Sequence, residues 1–108
     1  MPSNLTSELL KEVEEKKKAY LWSEAAQLME RAAAGIPKKD EQARFMESAA
    51  YCHSRASQQA GNSKLFTERR RAAVKDYMKA SELYAQNGEE SRGQEGQKLG
   101  KTELQKKQ

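Results

Sequence analysis

Trp22-Ser23-Glu24-Ala25-Ala26-Gln27-Leu28-Met29-Glu30-Arg31-Ala32-Ala33-Ala34-Gly35-Ile36-Pro37 is the stretch on which the reading of this chain turns. Ala25, Met29 and Ala32 recur at the three-to-four spacing of one helix face, and alanine is the strongest helix former. The stop is equally well marked. Gly35 suits the left-handed position after a last helical turn, Ile36 covers that turn, and Pro37 forbids continuation. The stretch therefore predicts a helix from Trp22 to Ala34 whose small side chains let a second helix approach closely.

Working outward, Leu5, Leu9 and Val13 with Leu10 make one apolar stripe on an otherwise charged segment. This predicts a first helix from Asn4 or Leu5 to Lys18, capped by Ser3 or Asn4 and supported by the pairs Glu12–Lys16 and Glu14–Lys18. Ala19-Tyr20-Leu21 is its last turn or a corner, with no Gly or Pro to decide. A third helix is expected after Asp40 as N-cap, with Glu41 in its first turn, running to about Ala60. Ala43, Met46, Ala49, Ala50, His53, Ala56 and Ala60 give it a face of mostly small residues. Gly61-Asn62-Ser63 supplies a turn and the next cap. A fourth helix follows from Lys64 to Gln86, with Phe66, Ala73, Tyr77, Ala80 and Tyr84 on one face.

From Gly88 the composition changes. Four of the six glycines (Gly88, Gly93, Gly96, Gly100) lie here among Glu, Gln, Lys and Ser, with Leu99 and Leu104 the large apolar residues. Such a segment buries too little surface to offset its ordering entropy. The expected division is a helical domain over 1–87 and a disordered polar tail over 88–108, with a short helix near Thr102–Lys107 if something binds it.

Composition sets the outer bounds. With 108 residues the chain suits one domain, and a mean hydropathy of −1.06 leaves an economical core. No apolar run approaches the ~18 residues that cross a bilayer, and Met1-Pro2-Ser3-Asn4-Leu5 lacks the pattern of a secretory signal. One cysteine, Cys52, forms no internal disulfide and fits a reducing, cytoplasmic setting.

The Trp22–Pro37 pattern, with Ala25, Met29 and Ala32 echoed by Ala73, Tyr77 and Ala80, resembles the second helices of tetratricopeptide-type hairpins. The longer helix pairs are similar to soluble NSF attachment proteins. The run Ala73-Val74-Lys75-Asp76-Tyr77-Met78-Lys79-Ala80-Ser81-Glu82-Leu83 also resembles the last helix of microtubule-interacting-and-transport domains. The likeness spans about residues 5 to 86. It implies an all-α fold of two antiparallel helical hairpins and a groove between helices for a partner segment. Leu10 and Glu14 fall where carboxylate-gripping tetratricopeptide domains carry Lys and Asn, so that mode of binding is not implied.

The expected function is accordingly a non-enzymatic protein–protein interaction module, a small adaptor or scaffold, with a protein or peptide partner and no cofactor. The small-residue helix 3 is the expected groove wall, through Arg44, Met46, Ala50, His53 and Ser57, with Arg69, Arg70 and Arg71 facing an acidic partner. Lys16–Lys18 and Arg69–Arg71 leave a nucleic-acid-associated protein as an alternative, although 20 basic against 16 acidic residues make a mixed surface. A homodimer closing over the open face is the other alternative. Trp22 reads as packing between hairpins. Cys52-His53 reads as structural, since adjacent helical residues point about 100° apart and no second Cys or His completes a zinc site. The carboxylates are expected on helical surfaces, with nothing to shift their pKa values.

Overall fold

The chain is described by a computed structural model, which covers the backbone of residues 4–88 and 90–105 and the side chains of residues 7–88, 94 and 97–105. Five helices follow one another: α1 (Asn4–Lys18), α2 (Trp22–Ala34), α3 (Lys39–Gln58), α4 (Ser63–Gln86) and α5 (Glu90–Gln105). There is no strand among the described residues. Each helix packs mainly on the one before and the one after it, in a flattened body of 41 × 31 × 16 Å. None is long and apolar enough to cross a membrane.

The corners show why the helices stop where they do. α1 ends in a Schellman cap: the Leu21 N–H donates to the Lys16 carbonyl at 2.8 Å and the Tyr20 N–H to the Lys17 carbonyl at 3.0 Å. Tyr20 takes the left-handed position, φ 61°, without being glycine. Its ring is exposed, and the Gln59 side-chain amide donates to its carbonyl at 3.1 Å, tying this corner to the end of α3. The expectation for Gly35 is corrected: its φ is −93°, and α2 closes instead through tight bonds from Gly35 to Ala32 and from Ile36 to Ala33. Asp40 is likewise not the cap of α3. The cap position is Lys38, while Asp40 and Glu41 occupy the first turn, where their charge meets the positive end of the helix dipole. Asn62 does cap α4, its Oδ1 accepting the Leu65 N–H at 2.8 Å.

Two apolar clusters hold the layers together. Leu9, Val13, Ala25, Leu28, Met29, Ala49 and Cys52 join α1, α2 and α3, with Trp22 and Phe45 packed at the edge. Trp22 meets Tyr51 edge to face at 6.2 Å and the Arg55 guanidinium lies 5.1 Å from its ring centre, so it packs as expected. Ala43, Ala80, Leu83 and Tyr84, with Met46, join α3 and α4.

The structure differs from the expected four helices most at the C-terminal end. Residues 90–105 form α5, which packs against α4; residues 89 and 106–108 of the expected tail lie outside the described residues. Gly88 makes the turn into it at φ +81°. A Cβ at Gly100 would stand 3.4 Å from Met78 Sδ, an ordinary contact, which marks where α5 lies against α4. Glu103 is 2% exposed, and its Oε1 accepts a hydrogen bond from Ser54 Oγ of α3 at 2.5 Å.

Candidate functional site

Ionisable side chains meet in the interior where the sequence placed none. Glu30 lies on α2, four residues after the fully buried Ala26. His53 lies on the small-residue face of α3. Asp76 lies on α4 between the buried Ala73 and Ala80, on the helix's apolar face. Successive packing of α2, α3 and α4 brings them together, with one donor atom from each within 4.8 Å of the others. His53 Nε2 stands 3.0 Å from Glu30 Oε2 and 3.6 Å from Asp76 Oδ2. The first is a hydrogen bond; the second is too long to be one.

Burial is uneven across the trio, and this sets its electrostatics. The His53 and Asp76 side chains are 8% and 2% exposed, while that of Glu30 is 34% exposed. Burial, and then the neighbouring Glu30 carboxylate, raise the Asp76 pKa to about 9 against the weaker pull of Lys75. For Glu30, burial acts upward too, but the side-chain hydrogen bonds with His53 and Asp76 outweigh it and lower its pKa to about 2. One carboxyl thus keeps its proton and shares it with the other. Among the described residues no N–H or hydroxyl group reaches Asp76 Oδ2, and His53 Nδ1 is also without a hydrogen bond.

This corrects the expectation that no carboxylate is perturbed. A signal for it lay in the periodicity. Asp76 is three residues after Ala73 and four before Ala80, so a helical reading of α4 puts it among the apolar positions. The sequence around Cys52-His53 does not show the two carboxylates that α2 and α4 bring to His53. Cys52 itself is free and fully buried, and burial raises its thiol pKa.

A second feature opens on the surface of α4. Met46, Met78 and Ala85 form the apolar part of a groove of about 730 Å³, with Lys75, Lys79 and Glu82 among its polar lining and Gln97 of α5 at its side. Met78 is 45% exposed, a large apolar side chain left in water.

The eight residues expected to bind a partner do not form one surface. Ala50, His53 and Ser57 are 0%, 6% and 1% exposed, because the small side chains of α3 are covered by the adjoining helices instead of bordering open space. Met46 reaches the groove; Arg44 is exposed and lines a separate hollow with Tyr51 and Leu99. Arg69 donates to the Ala56 carbonyl at 2.8 Å, Arg70 lies 5.5 Å from the Phe66 ring centre, and Arg71 is exposed. Helical geometry divides the three arginines among different surroundings. No protein-family model matches the chain, and neither a curated protein nor a solved structure matches it.

Proposed function

We propose that this chain is a non-enzymatic protein–protein interaction module, a small adaptor whose α4 groove receives an amphipathic helical segment of another protein. The carrying observation is the exposed Met78 beside Met46 and Ala85 under a rim with Lys75 and Lys79. Methionine adapts its shape to varied apolar surfaces, and the two lysines suit a segment with carboxylates flanking its apolar face. Sequential helix packing through short connections supports a tetratricopeptide-like pairing of the helices. The free, buried Cys52 accords with a cytoplasmic setting.

The test is affinity capture from native lysate with and without nuclease, using the wild-type chain, Met78→Glu and Lys75→Glu. Both substituted residues are exposed, and because Met78 also touches α5 at Gly100, circular dichroism is used to check that each variant keeps the wild-type helix content. A discrete protein should survive nuclease and bind Met78→Glu at least about 10-fold less, a loss of about 1.4 kcal/mol. Equal capture by Met78→Glu overturns the groove. Loss of all captured protein on nuclease treatment moves the weight to the basic clusters and the nucleic-acid alternative.

A further inference from the structure

The interior trio of α2, α3 and α4 has a chemistry of its own, although its Asp76 also borders the α4 groove. We propose that Glu30, His53 and Asp76 bind one divalent transition-metal ion of the zinc class, through His53 Nε2, a Glu30 oxygen and Asp76 Oδ2. Three rigid helices deliver one donor each, and the donors converge within 4.8 Å. Tetrahedral zinc with bonds near 2.0–2.1 Å sets its ligands about 3.3 Å apart. The observed separations of 3.0 and 3.6 Å from His53 Nε2 bracket that spacing.

The independent observation is Asp76 Oδ2. It belongs to a side chain 2% exposed, stands 3.6 Å from His53 Nε2, and accepts no hydrogen bond from an N–H or hydroxyl group among the described residues. Buried carboxylate oxygens are ordinarily satisfied, and one left bare is costly. A cation between Asp76, His53 and Glu30 supplies the missing partner, and its two positive charges balance two carboxylates beside a neutral imidazole. The mixed imidazole and carboxylate set suits zinc, cobalt or iron better than calcium or magnesium, which take six or more oxygen ligands. Glu30, at 34% side-chain exposure, marks the solvent side. That side gives the ion an entry path and leaves a fourth position for water.

The experiment uses the full chain without an affinity tag, stripped with EDTA. Zinc is titrated in competition with a chromophoric chelator, and cobalt(II) is added separately and followed by its visible absorption. The expected result is one zinc per chain, four-coordinate cobalt bands, and a thermal midpoint that rises with zinc. Glu30→Gln and Asp76→Asn should each weaken zinc binding at least about 10-fold, and His53→Gln should abolish the cobalt bands. Glu30→Gln is the variant least able to harm folding, because its side chain is part-exposed. The wild-type cobalt spectrum needs no variant at all. Absence of saturable one-to-one binding in the wild type overturns the proposal, as does one-to-one binding that the variants retain.

Discussion

Asp76 occupies an apolar position of α4, and a carboxyl group there gives up hydration with only the weaker pull of Lys75 to offset it. The groups that face it are Glu30 from α2 and His53 from α3, with Lys75 on its own helix. Its pKa is raised from an ordinary 3.8, so the folded chain holds a proton that the unfolded chain releases. The stability linked to it is complete below about pH 4 and is lost as pH rises toward about 9. Glu30 works in the opposite sense: its contribution is present above about 4.5 and is lost as pH falls toward about 2. Between pH 5 and 8 only the Asp76 contribution of this pair changes. EDTA-treated wild-type protein should therefore lose on the order of 1 kcal/mol of stability per pH unit across that range. Asp76→Asn removes the proton and should flatten the slope. Urea unfolding at several pH values reads both; parallel curves for the two proteins contradict the assignment.

At the scale of the element, α5 is the helix whose own sequence argues against it. Glycines at 93, 96 and 100 each cost about 1 kcal/mol relative to alanine in a helix interior. Its place therefore depends on contacts with α4 and α3, among them the hydrogen bond of the buried Glu103 with Ser54. Ser54→Ala takes away that donor and should destabilise the chain by about 1–3 kcal/mol. The loss should be local: amide exchange should quicken in α5 before it changes in α2 or α3. Uniform acceleration along the whole chain would show that α5 does not move as a separate unit. The α1–α2 corner makes the converse point. No Gly or Pro marks it, and the backbone solves it with Tyr20 in a left-handed conformation stabilised by two carbonyls of α1.

For the molecule as a whole, consecutive packing makes stability graded along the chain. α2, α3 and α4 each lie between neighbours, whereas α1 packs mainly on α2 and α5 mainly on α4. Hydrogen exchange should give the greatest protection in α2–α4 and the least in α1 and α5; equal protection throughout would mean all-or-none opening. The all-helical class and the span of α2 were legible in the sequence, because alanine content, apolar spacing and the Asn62 cap act within a few residues of chain. Even there the Gly35 signal stood for a conformation the backbone does not adopt. Other features were decided by the packing of helices on one another. The face of α3 that looked open is covered, α5 is held by residues far from it in sequence, and Glu30, His53 and Asp76 meet only because three helices stack in order. Periodicity records which face of a helix is apolar. It does not say what covers that face, and a buried carboxylate acquires its partners and its pKa only once the covering helix is in place.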